Sequence, residues 1–438
     1  MTSFKRKFHV VVVGAGLAGL ATAILLCKAG YKVTVLEQDA ELREIGAGIQ
    51  LPTNANKVLI EMGILDKILE QAVQPRAVML YSYQSGTVLS TLGLDPYVQD
   101  TYGVPHLVMH RADLRQILFD EAEAQDVCVH LATKIIPAQI DAVNGSIVLM
   151  TGEVIMADLI IGADGGSSRC RQLLLQEPQM SRTSARIGNR IVIKSEVMLQ
   201  DQLLRDLVST PSIHVWMGPE CLAVCYLLKG AFNITLTHPP NEDEEIFLGP
   251  RPVDVVEMRS RFSKWDPRIR ALLEKADAFQ KWMFFEPQEI QTWVHPSGKL
   301  TLIGDAAHET LPYLAQGAAM CFESASTLAN LLAKAKQPSQ ILGLLGLYNS
   351  ARQSRTNHVR RASKRMEDVW HLPNGALQVD RDRRLMNEIP TAGYPNMLAD
   401  PFFQAWLWGF DAKAEVENMW TIRGHVSHKE GSEEESAN

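Results

Sequence analysis

Several things are missing from this 438-residue sequence, and each absence narrows what the chain can be. It has only six cysteines, with no regular spacing and no Cys-x-x-Cys pair, so neither a disulfide framework nor a zinc or dithiol centre is expected. The cysteines are read as reduced thiols, mainly buried, and no metal site is expected. Basic residues are not in excess. A net charge of -7 works against binding the nucleic-acid polyanion and favours a small-molecule partner. Apart from the run Val10 to Cys27, no apolar stretch reaches the roughly 18 residues of a spanning helix, and no internal repeat is present. Lys5, Arg6 and Lys7 before the run Val10 to Cys27 imitate a signal peptide, but that run carries three spaced glycines and no small-residue cleavage site. A soluble, cytoplasmic enzyme is therefore expected, with peripheral membrane attachment left open.

What is present is ordinary globular material, 46% hydrophobic and 21% charged, long enough for two compact domains. His9 to Val13 reads as a buried strand, Leu17 to Ala29 as a helix and Lys32 to Glu37 as the next strand, a βαβ unit. Helices are expected over Asn54 to Gln71 and Leu114 to Gln125, and strand-like structure over Arg76 to Val88. Between Arg186 and Pro287 the pattern changes to alternating strands, Arg190 to Val197, His214 to Gly218, Cys221 to Lys229 and Phe232 to His238. Leu300 to Ile303 returns to a buried strand, with a helix beginning near Ala318.

The fold class expected is α/β. A Rossmann-like nucleotide domain (1-75, 106-185 and 290-335) is interleaved with a mostly antiparallel sheet domain (76-105 and 186-289). A helical region (336-428) and an acidic, disordered tail (429-438) follow. Arg352, Arg355, Arg360, Arg361, Lys364 and Arg365 read as a solvated basic helix face rather than an anion site. Cys221 and Cys225 share one face of a strand and read as core, not a redox couple.

Gly14, Gly16 and Gly19 lie between a strand and a helix, the context in which a Gly-x-Gly-x-x-Gly spacing binds a dinucleotide. The first allows the tight turn, the second the approach of a pyrophosphate, and the third close helix-strand packing. The helix N-terminus adds partial positive charge toward the phosphates. Glu37 stands where a carboxylate accepts hydrogen bonds from an adenosine ribose. This fingerprint alone does not separate FAD from NAD. Leu159 to Gly165 is a strand running into Gly-Ala-Asp-Gly, which places Asp164 near a diphosphate or is simply a loop turn. Leu302 to His308 is a strand running into Gly-Asp-Ala-Ala-His, in which Asp305 can hold a polyol hydroxyl. Pro312 and the helix opened by Gly317 and Ala318 follow, and that helix N-terminus can stabilise charge on a reduced ring.

Together these motifs resemble the class A flavoprotein monooxygenases, the family of p-hydroxybenzoate hydroxylase, and most closely its salicylate hydroxylase-like branch, over about residues 8 to 365. The resemblance implies that Gly14, Gly16, Gly19 and Glu37 hold the ADP half of FAD and that Arg111 contacts the cofactor. It implies that Asp164 serves FAD and nicotinamide handling and that Asp305 binds the ribityl chain. Pro312, Gly317 and Ala318 would lie beside the isoalloxazine, with Gly46 to Ile49, including Gly48, running past the flavin. Arg43 fits the same pattern, or is a surface cation.

The activity implied is hydroxylation of a phenolic, aromatic or polyketide-like small molecule of secondary metabolism. It would use NADPH or NADH and O2 through a flavin C4a-hydroperoxide, with or without decarboxylation or dearomatisation. The chain departs from the branch at Ala319 and Ser324, and at Leu222 and Cys225, where histidines often stand. Tyr226, His238, His308 and Arg43 are the candidates for the catalytic groups, although a lone histidine is more often structural. Two rivals remain. An epoxidase acting on an alkene needs no phenol-deprotonating base. A flavin dehydrogenase or reductase would lack oxygen insertion, and its disulfide-reductase form is disfavoured by the missing cysteine pair. Oligomeric state is not readable.

Overall fold

The computed structural model describes residues 4–5, 7–42, 48–176, 184–241, 244–276, 278–286 and 288–422. The β-branched run His9–Val13 lies at the centre of a five-stranded parallel sheet. Its neighbours are Lys32–Leu36 and Cys128–His130 on one side and Leu159–Gly162 and Leu300–Leu302 on the other. Such strands are buried on both faces, which is why they read as continuous apolar runs and not as alternating ones. Helix α1 (Leu17–Lys28) follows the first strand. Helix α2 (Thr53–Met62) ends at Gly63, whose φ of +76° stops it, so the single helix expected over 54 to 71 is two pieces, the second being Leu65–Leu69. Helix α3 (Arg111–Ala124) starts three residues earlier than expected, and α4 (Arg169–Leu175) follows the strand Leu159–Gly162.

The second sheet has eight strands. Across it run Arg251–Val253, Phe279–Phe285, Ser184–Lys194, Ala231–His238, Cys221–Leu228, Ile213–Gly218, Ala77–Ser82 and Val88–Gly93. Every pairing is antiparallel except that of Ile213–Gly218 with Ala77–Ser82. The strand expected at Arg190 to Val197 instead ends at Lys194, and Ser195–Leu199 is a short helix. Because side chains alternate, the register sorts this sheet into two faces. Val215, Val224, Thr235 and Arg190 pair across neighbouring strands on one face, and Trp216, Ala223 and Leu236 on the other. The second face packs on Met258, Phe262, Trp265 and Leu272 to form a core of its own.

The chain then closes the first sheet with Leu300–Leu302 and continues as α5 (Asp305–His308), α6 (Gly317–Ala333) and the 30-residue α7 (Ile341–Trp370). Helix α6 is sandwiched between α1, α2 and α7. That packing splits the basic run: Arg361, Lys364 and Arg365 are exposed, as a solvated face requires, but the reading fails for the other three. Arg352, Arg355 and Arg360 are buried, because they share a face of α7 with Tyr348, Val359 and Met366. The helical region continues with Ala376–Asn387 and Pro401–Trp408. The 429-438 tail lies outside the described residues, and among those described no helix is long and apolar enough to cross a membrane.

Candidate active site

The three glycines of the first turn have three different surroundings. A Cβ on Gly14, at φ +107°, would stand 2.5 Å from the Ala163 carbonyl oxygen, and one on Gly19 would stand 1.9 Å from the Gly14 oxygen. At Gly16 nothing lies within 4 Å. The first and third are therefore filled by backbone, and the second borders open space at the N-terminus of α1. Glu37, just past the second strand, is buried and held in place: Oε2 accepts from the Ala15 amide at 2.7 Å and from Arg115 Nη2 at 3.1 Å, and Oε1 from the Asp39 amide at 3.0 Å. Arg115 was not singled out in the sequence. It stands one turn after Arg111 on α3, a spacing that could have flagged it.

Asp164 has a structural task. Its Oδ1 accepts from the Ser168 hydroxyl at 2.5 Å, and its Oδ2 from the amides of Arg169 at 2.7 Å and Cys170 at 3.1 Å, so the carboxylate caps the start of α4. Asp305 opens α5 on the exposed side, after Gly304 at φ +63°. The turn it begins is gripped by two arginines. Arg171 from α4 donates to the carbonyls of Asp305 at 3.3 Å and Ala306 at 3.2 Å. Arg360 from α7 donates to Glu309 at 2.9 Å and Ala307 at 3.3 Å, satisfying carbonyls that a helix end leaves open. Burial lowers the Arg360 pKa to about 10.

A cavity of about 270 Å³ opens between the first face of the large sheet and the N-terminus of α6. It brings together Gly48, Arg111, Tyr226, Pro312, Gly317 and Ala318, six residues singled out in the sequence. Gly48 fits only as glycine, since a Cβ there would meet the Tyr226 hydroxyl at 2.6 Å and the Asn233 side chain at 2.8 Å. At Gly317 a Cβ would meet nothing. The far wall is aromatic, and Arg190 enters it with its guanidinium carbon 4.4 Å from the Trp282 ring centroid. Burial raises the Tyr226 phenol pKa, so it is neutral at ordinary pH.

The other candidates are elsewhere. His238 falls on the opposite face of its strand from Thr237 and Thr235, with Nδ1 2.7 Å from the Pro239 carbonyl. His308 is buried behind α6, its Nε2 2.9 Å from the Ser324 hydroxyl and its ring against Trp293. Burial, with Arg352 and Arg360 nearby, holds it neutral. Ser324 replaces the acid frequent in the branch, and Arg352 Nε donates to it at 3.1 Å. Cys225 belongs to the second core with Cys221 packed against it, so it does not face the cavity, whereas Leu222 does. Arg43, Gly46 and Ala47 lie outside the described residues. Among the described residues no histidine, aspartate or glutamate lines the cavity, and no cluster of three metal-ligating groups occurs.

The open positions at Gly16 and Gly317, each at the N-terminus of a long helix, suit a dinucleotide with a ring system at its far end. The buried acid at Glu37 and the cation at Arg111 fit the same group.

Comparison with known proteins agrees with that geometry. A family model described as an FAD binding domain matches residues 7–363. The FAD-dependent monooxygenase OpS4 of Beauveria bassiana is 32% identical over 423 residues, covering 95% of this chain and 98% of the relative. The 3-hydroxybenzoate 6-hydroxylase of Klebsiella oxytoca is 30% identical over 377 residues, 85% of this chain and 91% of the relative. A salicylate hydroxylase solved as its substrate complex superposes with a TM-score of 0.76 at 21% identity, covering 94% of this chain and 97% of that one.

Proposed function

The chain belongs to the class A flavoprotein monooxygenases, FAD-dependent enzymes of aromatic hydroxylase type with a reduced nicotinamide as co-substrate, and from that premise we propose that it inserts one oxygen atom of O2 into a phenolic small molecule held in the cavity beside α6. The observation that carries the proposal is the junction of Gly48, Arg111 and the start of α6 with the aromatic, Arg190-bearing wall of the large sheet. FAD, when bound, supplies the two-electron reduction and oxygen activation.

The protein's own residues bind, orient and keep the site dry. Gly14, Gly16 and Glu37 hold the dinucleotide end, with Asp305 and the amides at Gly317 and Ala318 toward the ring. Asp164 acts one step back, by fixing α4, from which Arg171 holds the Asp305 turn. Trp282, Phe284 and Leu222 exclude water from the reacting face, and the Arg190 cation suits an anionic aromatic such as a phenolic acid. The relatives named for 3-hydroxybenzoate and 3-amino-4-hydroxybenzoate act on ligands of that kind.

The test is a visible spectrum of the purified protein, then NADH and NADPH oxidation in air with a panel of hydroxybenzoates, with the product analysed. A phenol-stimulated rate coupled to an oxygenated product is expected. Among the described residues no imidazole or carboxylate lines the cavity, and that composition also suits an alkene epoxidase. Turnover of an alkene with no response to any phenol would move the assignment there.

A further inference from the structure

One corner of the cavity has a hydrogen-bond polarity fixed from behind. His371, buried at the end of α7, holds Nδ1 2.9 Å from the Glu367 carbonyl oxygen. A carbonyl only accepts, so Nδ1 carries the proton. Burial and the nearby Arg186 push the imidazole pKa down to about 3, which leaves it neutral and makes Nε2 a bare acceptor. Thr237 Oγ1 lies 2.9 Å from Nε2, so its one O–H is committed to the histidine, and only lone pairs remain on the oxygen. Thr237 lines the cavity.

Tyr313, also on the cavity wall, is buried beside Thr237 and Glu367, and its hydroxyl makes no hydrogen bond of good geometry. Both neighbours can only accept from it, the threonine oxygen because its proton is spent and the carboxylate by nature. Glu367 is itself paired, with Arg186 Nε at 2.9 Å and Lys364 Nζ at 2.9 Å. Because the tyrosine proton is bonded to neither neighbour, the polarity of this corner is set by Thr237 alone.

We infer that Thr237 forms an acceptor-only point on the cavity wall that recognises a hydrogen-bond donor, a phenolic O–H or an aromatic N–H, on the bound ligand, and that His371 is the positioning residue that sets this polarity. The inference rests on the aromatic-hydroxylase reading and adds to it a rule for the substrate. A group able only to accept, such as an ether or ketone, meets lone pairs there and is refused. The site has no way to reverse this in the working pH range, because the histidine stays neutral throughout it.

The test uses the FAD-loaded enzyme and three matched pairs, the 2-, 3- and 4-hydroxybenzoates against their methoxy counterparts. Dissociation constants are read from the perturbation of flavin absorbance. The wild type should prefer at least one phenol over its ether by about tenfold or more, since a buried polar group left unpaired loses about that much. Thr237→Val keeps the shape and removes the oxygen, and should bring that ratio within about twofold. Thr237→Ser should restore it. His371→Leu should also collapse it, because the freed threonine proton can turn toward an ether, an effect that a merely structural histidine would not have on a ratio. A flavin-loaded Thr237→Val that keeps the full preference overturns the inference and leaves the hydroxylase reading standing. If no member of the three pairs perturbs the wild-type flavin, both fall together.

Discussion

Arg115 lies 3.1 Å from Glu37 in a buried ion pair, and the same guanidinium donates to the Ala15 carbonyl at 2.9 Å. Helix α3 thereby holds, in one contact, the acid at the end of the second strand and the backbone of the glycine turn. Only 7% of each side chain is exposed, so screening by solvent is weak. Arg115→Met should destabilise the fold by about 3 kcal/mol, the lower part of the range for orphaning a buried charge, because Glu37 keeps two amide donors. The thermal midpoint and the flavin retained after desalting should fall together. Loss of neither would show that the pair is not coupled to the cofactor turn.

The glycine turn separates packing from binding. Gly19→Ala places a methyl group 1.9 Å from the Gly14 oxygen and should lower the melting temperature through overpacking of about 1–3 kcal/mol. Gly16→Ala meets no protein atom, so apoprotein stability should hold while FAD affinity drops about tenfold or more. Equal loss of stability in the two variants would remove the distinction.

Five histidines make the fold acid-sensitive. Burial is the leading cause in each case, lowering His106, His214 and His238 to about 4 and His371 to about 3, with His308 well below its ordinary value. A histidine neutral in the fold takes up a proton on unfolding once the pH is under about 6.5. Stability is therefore intact above that value and is lost as pH falls toward the folded pKa values, at about 1.4 kcal/mol per pH unit for each. Urea midpoints at pH 7.5, 6.0 and 5.0 should decline steeply, well above the carboxylate range. A flat profile to pH 5 would contradict this assignment.

Arg190→Met keeps a chain to lie on Trp282 and removes the cation. For a hydroxybenzoate KM should rise about tenfold, with kcat changed less, and an uncharged phenol should be nearly indifferent. The ratio of kcat/KM for the two ligand types is the measurement. An equal effect on both would place Arg190 outside substrate recognition.

The glycine turn was legible because backbone geometry dictates it. Gly14, Gly19 and Gly48 are where they are because a Cβ there would meet protein atoms, and a glycine in the sequence records that directly. The sheet wall was less legible. Its inward face follows from strand parity, so assigning Cys225 alongside Leu222 set one of them on the wrong side, and His238 fell one residue from the inward-facing Thr237. The basic run misled because charge was weighed without periodicity: Arg352 and Arg355 repeat with Tyr348, Val359 and Met366, the spacing of a buried face. Thr237 and His371 are 134 residues apart, and nothing local in either stretch announces the other.

The closing strand of the first sheet, Leu300–Leu302, has a consequence for how the protein is made. The strand it pairs with, Leu159–Gly162, leaves the ribosome well before it, and six of the eight strands of the second sheet are made in between. At roughly 5–20 residues per second, translation leaves that apolar edge without its partner for on the order of ten seconds. During this interval the nascent chain displays an unpaired parallel strand, and Arg360, which steadies the Asp305 turn, does not yet exist. Until Leu300–Leu302 is made, the edge of Leu159–Gly162 is open to pairing with another chain.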